Sequence, residues 1–359
     1  MKRLTDITRH MKASIGELIS GAAKAAGRNP RELLFLARFG KAHKKASGIR
    51  DEYEARGTHV PPFLIASVAR DCNLRCAGCY AAVNQACTPN AGQLPAERWE
   101  AIFKEAAKIG VSFILLAGGE PLMRPDVLRL AAGHEDIVFP VFTNGTLIDG
   151  EWARFFCRHR NLVPVLSIEG DREATDARRG EGVFDKLLAA MDRLRKKRVF
   201  FGASVTVTAK NVAEVTGAPF VSFLEENGCG LAFYVEYVPV DGKSEDLAPT
   251  DADREYLEGR LEKLREKRRM LAIAFPGDEK LLGGCLAAGR GFFHINPNGD
   301  AEPCPFSPYS DTNLRDCTLL EALQSPFFRK LRSSEILNAQ HDGGCVLFGQ
   351  ADAVERMLV

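Results

Sequence analysis

Apolar positions along this chain recur with two alternating periods. Short apolar runs with strand character lie at 62–69, 112–117, 137–143, 162–168, 199–207 and 230–238. Between them, helical spacing predicts helices over 95–109, 125–133, 149–158, 182–197 and 212–227. Leu94-Pro95 opens one of these helices and Gly110 closes it. Strand–helix alternation of this kind predicts an α/β fold with a parallel sheet and right-handed crossovers. Six strands are fewer than the eight of a closed barrel.

The flanking regions read differently. Over 5–27, Ile7, Met11, Ile15, Leu18, Ile19, Ala22 and Ala26 recur at helical spacing. Asn29-Pro30 then offers an N-cap and a first-turn proline for a second helix carrying Leu33, Leu34, Leu36 and Phe39. This predicts a helical pair packed on the main domain. A helix rich in Glu, Lys and Arg is expected over 251–269, its charges marking a solvated face. The C-terminal segment carries a hairpin pattern at Pro297-Asn298-Gly299-Asp300 and a short helix over 318–325. Three regions follow: 1–58, 59–245 and 246–359.

Composition narrows the function classes. The 359 residues are 45% hydrophobic and 26% charged, an ordinary globular balance, with a formal net charge of +1. That charge gives no global field for nucleic acid or a membrane surface. The basic runs Lys41-Ala42-His43-Lys44-Lys45, Arg193-Leu194-Arg195-Lys196-Lys197-Arg198 and Lys267-Arg268-Arg269 read as solvated; the last two fall at helix ends. No stretch reaches the ~18 apolar residues of a membrane span, and residues 1–20 lack an apolar signal core. A cytoplasmic location is expected. Thiols stay reduced there, so the ten cysteines point to metal or chemistry rather than disulfides.

Three of those cysteines, Cys72, Cys76 and Cys79, fall within eight residues after the apolar run 63–69. They occupy a loop leaving the C-terminal end of a strand, where α/β proteins build their sites. Clustered thiolates bind zinc or iron–sulfur clusters. A structural zinc wants four closed ligands, whereas three on a four-iron cluster leave one iron open. The spacing C-x3-C-x2-C, with Tyr80 following, resembles the signature of the radical S-adenosylmethionine (SAM) superfamily. The resemblance covers roughly residues 60–240. It implies a partial six-stranded (βα)6 barrel and a [4Fe–4S] cluster on Cys72, Cys76 and Cys79. It also implies reductive cleavage of SAM to a 5′-deoxyadenosyl radical that takes a hydrogen atom from a substrate.

Other strand ends carry residues that the resemblance assigns to SAM. Ala117-Gly118-Gly119-Glu120-Pro121 resembles the family's Gly-Gly-Glu-Pro motif, with Glu120 a candidate partner for the SAM ammonium. Thr143 and Asn144, before Gly145, occupy the place of its Thr-Asn-Gly turn; a plain turn is the alternative. Ser167 and Glu169 share one face by alternation and resemble the Ser-x-Asp/Glu pair that meets ribose and methionine. Arg179, or its neighbour Arg178, is a candidate for the SAM carboxylate, because a guanidinium binds carboxylates bidentately. Ser204, Thr206, Thr208, Tyr234, Glu236 and Tyr237 are the polar positions of the last two strands. Alternation pairs Tyr234 with Glu236 and leaves Tyr237 on the other face.

A second thiol set begins with Cys285, Gly299 and Cys304, resembling the opening of the SPASM or shorter twitch extensions that hold auxiliary iron–sulfur clusters. Gly343-Gly344-Cys345 offers a third ligand, and Cys317 is a weaker fourth. The resemblance thus implies a small α+β twitch-like extension holding an auxiliary cluster on Cys285, Cys304 and Cys345. Cys87, Cys157 and Cys229 read as ordinary cysteines. Pro305 stands where sulfatase-maturing members carry an aspartate base, so the formylglycine reaction is not implied, and no catalytic base is assigned. The expected partners are an external one-electron reductant of flavodoxin or ferredoxin type and a substrate. A peptide or protein in a maturation reaction is the first expectation. A small-molecule cofactor or lipid precursor is the second, and a non-catalytic iron–sulfur electron carrier is the alternative of another class.

Overall fold

The computed structural model describes residues 2–27, 29–87, 92–282, 284–338 and 344–358, with the backbone alone over 2–9, 85–87, 280–282 and 338. The Ile7 and Cys87 side chains, Gly283 and Gly343 lie outside the described parts. Two long helices come first, α1 (Lys2–Ala26) and α2 (Pro30–Ala55). There follow β1 (Phe63–Ala69), α3 (Tyr80–Cys87), α4 (Ala96–Ile109), β2 (Phe113–Gly118), α5 (Pro125–Ala132), β3 (Phe139–Thr143) and α6 (Gly150–Arg158). Next are β4 (Leu162–Ser167), α7 (Arg172–Arg179), α8 (Val183–Lys196), β5 (Gly202–Val207), α9 (Val212–Val215), α10 (Ala218–Glu226) and β6 (Leu231–Glu236). Then α11 (Asp251–Lys267), β7 (Leu271–Phe275), β8 (His294–Ile295) and β9 (Ala301–Glu302) complete the sheet.

The strand order is β7-β6-β5-β4-β3-β2-β1-β8-β9. Strands β1 to β7 run parallel, β8 joins β1 in parallel, and only β9 turns back. All six expected strands are present in sequence order. The sheet is wider than six, because β7 extends it beyond β6 and the β8–β9 hairpin extends it beyond β1. Those added strands come from the region after residue 246, yet they hydrogen-bond into the same sheet.

Helix α4 illustrates why these residues form these elements. Trp99, Ile102, Phe103, Ala106 and Ile109 fall on one face and are buried against the sheet. Gly110 ends the helix in the left-handed region, at φ 89°, where a side chain would be strained. The expected helix over 212–227 is two pieces, α9 and α10, because Gly217-Ala218-Pro219 interrupts it.

Phe39 of α2 is buried with Val138, Val163, Val165 and Leu231 at the N-terminal ends of the strands. Its ring meets Phe113 edge-on at 5.2 Å, and Phe113 stacks on Phe63 at 4.8 Å. The helical pair therefore closes the end of the sheet opposite the one that carries the cysteine loop. Among the described residues, no helix is long and apolar enough to cross a membrane.

Candidate active site

Cys72, Cys76 and Cys79 lie on the loop after β1, and all three line one cavity of about 1120 Å³. The loop is fixed by main-chain contacts. Ala77 N donates to the carbonyl of Arg178 at 2.9 Å, and Glu120 N donates to that of Asp71 at 2.8 Å. Gly118 and Gly119 make this approach possible. A Cβ on Gly118 would stand 2.3 Å from the Ala69 carbonyl oxygen, and one on Gly119 would stand 2.1 Å from that of Asp71. The two glycines border the cavity and also seat the cysteine loop on β2.

Glu120 is fully buried. Its Oε1 accepts from Leu122 N at 3.0 Å and from Thr143 Oγ1 at 2.7 Å, and its Oε2 accepts from Asn144 N at 2.8 Å. Burial raises its carboxyl pKa against the pull of these donors. In this structure Glu120 joins the turn after β2 to the turn after β3. Asn144 does border the cavity. Its Nδ2 donates to Asn73 Oδ1 at 2.8 Å, and its Oδ1 accepts from Thr146 Oγ1 at 2.6 Å.

Ser167, at the end of β4, faces the cavity with Ser204, Thr206, Arg178 and Arg179. Glu169 is buried behind them, where its Oε1 accepts from Arg178 Nη1 at 2.5 Å and from Arg179 Nε at 2.8 Å, with Arg179 Nη2 as a further donor. Both candidate arginines are thus held by one carboxylate. Arg179 Nη1 also lies 4.0 Å from Cys76 Sγ. Burial pushes the Cys76 thiol up, and the Arg179 guanidinium pulls the other way. Tyr80 borders the cavity and meets the Phe306 ring edge-on at 5.3 Å.

The last two strands show which face meets the cavity. Tyr234 points away from the cavity, and its hydroxyl donates to the Val215 carbonyl at 3.3 Å. Tyr237 lines the cavity instead, as does Glu236. Phe233, Val235 and Tyr237 face the cavity in alternation, so Tyr234 and Tyr237 lie on opposite faces as expected, and Glu236 at the strand end borders the cavity as well. Glu236 accepts from Arg254 Nε at 3.0 Å and from Gly344 N at 2.9 Å. The run Lys267-Arg268-Arg269, expected to be a solvated helix end, also borders the cavity.

The second thiol set comes together across 60 residues of chain. Cys304 and Cys345 are hydrogen-bonded to each other, and Cys285 stands beside both. Burial pushes Cys285 and Cys304 well above the ordinary thiol range, whereas the bond from Cys304 holds Cys345 below it. Cys317 sits elsewhere, among Glu321, Arg98, Glu105 and Asp316. Cys229 is buried and Cys157 half-buried.

Sequence reasoning missed a buried polar chain beside this set. Ser67 Oγ is 2.7 Å from His294 Nε2, and His294 Nδ1 is 2.7 Å from Glu302 Oε2. Asn296 Nδ2 donates to Glu302 Oε1 at 2.7 Å. The chain fastens the β8–β9 hairpin to β1. Its only signal was polar residues at alternate positions of short apolar runs.

Each thiol set supplies three sulfur donors, the donor type that both zinc and iron–sulfur clusters take. A lone zinc needs its thiolates within ~2.3 Å of one point. A four-iron cluster takes each thiolate on a different iron, so its ligands stand further apart.

Comparison with known proteins agrees. Residues 66–214 match the family described as the radical SAM superfamily. The AdoMet-dependent heme synthase of Methanosarcina barkeri is 28% identical over 313 residues, covering 79% of this chain and 88% of the relative. Mycofactocin maturase MftC of Mycobacterium tuberculosis is 27% identical over 316 residues, covering 83% of this chain and 78% of the relative. Among solved structures, Streptococcus suis SuiB bound to S-adenosylmethionine superposes with a TM-score of 0.69 at 20% identity, over 87% of this chain and 79% of that one. Residues 66–214 form a radical SAM domain, and the chain is an enzyme that works with a [4Fe–4S] cluster and SAM.

Proposed function

We propose that this enzyme takes a hydrogen atom from an apolar, carboxylate-bearing small molecule of the tetrapyrrole class, held inside the barrel. The observation that carries this reading is the cavity itself. It runs without interruption from the three cysteines to Phe39, and its wall includes the rings of Phe63, Phe113, Phe142, Phe233 and Phe292. Flat aromatic walls favour a large apolar ring system. Lys267 and Arg269 border the same space and suit peripheral carboxylates. Similarity to the Methanosarcina barkeri heme synthase supports the same class of substrate.

When bound, the cluster on Cys72, Cys76 and Cys79 supplies the electron that splits SAM into methionine and the 5′-deoxyadenosyl radical. In this reading that electron comes from a flavodoxin- or ferredoxin-type donor. The chain's own residues hold and orient. Arg179 and Arg178, fixed by Glu169, offer guanidinium hydrogens to the SAM carboxylate beside Cys76. Ser167 and Asn144 offer hydrogen bonds from neighbouring strand ends. Tyr80 and Phe306, packed edge-on, wall the cavity beside the loop.

A second reading, maturation of a peptide, is supported by similarity to MftC. Anaerobic titration with iron coproporphyrin separates the two. The first reading expects a shifted Soret band and saturable binding, weakened in Arg269→Glu. Absence of any spectral shift at micromolar protein removes it and leaves the peptide reading.

A further inference from the structure

The second thiol set presents three cysteines, and its fourth neighbour is a carboxylate. Glu279 lies on the tight turn Gly277–Leu282, which follows β7. Its backbone N donates to the Pro276 carbonyl at 2.8 Å, and its carbonyl accepts from Gly284 N at 3.2 Å. These two bonds aim the side chain inward, and only 3% of the residue is exposed. There the carboxylate accepts from Leu286 N and is hydrogen-bonded to the Cys285 side chain, with Cys345 and the buried Arg290 beside it.

The other buried carboxylates nearby are engaged elsewhere. Glu236 is paired with Arg254, Glu302 with His294, and Glu169 with the two arginines. Glu279 faces the thiols, with the buried Arg290 alongside. Cys317, the weaker fourth candidate, stands apart among Glu321, Arg98, Glu105 and Asp316.

We propose that Glu279 is the fourth protein ligand of an iron–sulfur cluster held by Cys285, Cys304 and Cys345. Oxygen is a harder donor than thiolate, so the iron it holds is the exchangeable corner of the cluster. Glu279 also borders the large cavity, which places that corner on the substrate side. The inference concerns cluster ligation and does not depend on which substrate the cavity takes.

The test uses the full chain carrying Cys72→Ala, Cys76→Ala and Cys79→Ala, reconstituted anaerobically with iron and sulfide. Only the second thiol set then contributes to the spectrum. Iron content, EPR of the reduced and mildly oxidised forms, and midpoint potential are measured with Glu279 intact, and in Glu279→Ala, Glu279→Gln and Glu279→Cys. We expect about four irons with Glu279 intact. Glu279→Ala and Glu279→Gln lose one of the four on mild oxidation and give a three-iron EPR signal. Glu279→Cys keeps all four, with a shifted potential, because a thiolate replaces the oxygen ligand. Unchanged spectra and potentials in Glu279→Ala and Glu279→Gln overturn the assignment. So does failure of Glu279→Cys to assemble a cluster that Glu279→Gln assembles normally, which would mark a hydrogen-bonding role. A chain with Glu279 intact that loads no cluster overturns it as well.

Discussion

Asn144 Nδ2 donates a hydrogen bond to Asn73 Oδ1 at 2.8 Å, tying the turn after β3 to the cysteine loop. Thr146 closes the ring, because its Oγ1 accepts from Asn73 Nδ2 at 2.8 Å and donates to Asn144 Oδ1. Cys72, the exposed thiol of the three, is the next residue to Asn73. Each lost bond costs about 1 kcal/mol, or roughly a fivefold change in an equilibrium. Asn144→Ala should therefore release iron to a chelator several-fold faster than wild type. Asn73→Ala should do the same, and the double variant should add little. Additive effects in the double variant would show that the two asparagines act independently.

Glu169 holds both Arg178 and Arg179 in a buried ion pair. Removing one partner of such a pair costs ~3–5 kcal/mol, since the remaining charge is left uncompensated. Glu169→Gln should lower the thermal midpoint and weaken SAM binding together. The conservative Arg178→Lys should retain most of the stability. Calorimetry and SAM titration read the two effects, and an unchanged midpoint in Glu169→Gln would show that the arginines stand without it.

Glu120 and Ser167 should separate. Glu120 satisfies three donors from two turns, so Glu120→Ala leaves buried donors unpaired and costs about 1–3 kcal/mol of stability for each. Ser167 faces the cavity, and Ser167→Ala should stay within about 0.5 kcal/mol of wild type. Its loss should appear as a raised SAM dissociation constant. Denaturation midpoints beside SAM titrations check both. A destabilised Ser167→Ala with normal SAM affinity would reverse the assignment.

His43 reports on the docking of α2. Burial and the nearby Arg50 hold its pKa down at about 4, and its Nδ1 is 2.9 Å from Ser112 Oγ. The unfolded chain takes up this proton near the ordinary value of ~6.5, and the folded chain does not until about 4. Stability therefore falls as pH drops from ~6.5 towards 4 and is level above that window. The full shift corresponds to about 3 kcal/mol, reduced to ~2 for the ring's partial exposure. His43→Gln should flatten the difference in thermal midpoint between pH 7 and pH 5. An equal slope in the variant would place the acid sensitivity elsewhere.

The strand–helix order was legible because each strand is a short apolar run and each helix has a buried stripe such as Trp99, Phe103 and Ala106. The cysteine loop was legible because its three thiols are close in sequence. What the sequence could not carry was contact between distant segments. Nothing in Leu271–Phe275 or His294–Ile295 announces which sheet edge it joins. Glu120 sits in a recognisable motif, yet its partners Thr143 and Asn144 lie more than 20 residues away. Alternation placed Tyr234 and Tyr237 on opposite faces, but which face lines the cavity was not legible without the fold. Glu279 escaped notice because a glutamate in a turn reads as solvated until Cys285 and Cys345 close around it.

SAM cleavage by the anaerobically reconstituted full chain tests the central claim most directly. With dithionite as reductant, the wild type should release 5′-deoxyadenosine and carry roughly eight irons per chain, for two four-iron clusters. Changing Cys72, Cys76 and Cys79 together to Ala should abolish 5′-deoxyadenosine and leave roughly four irons. Continued release of 5′-deoxyadenosine by that variant would contradict the account.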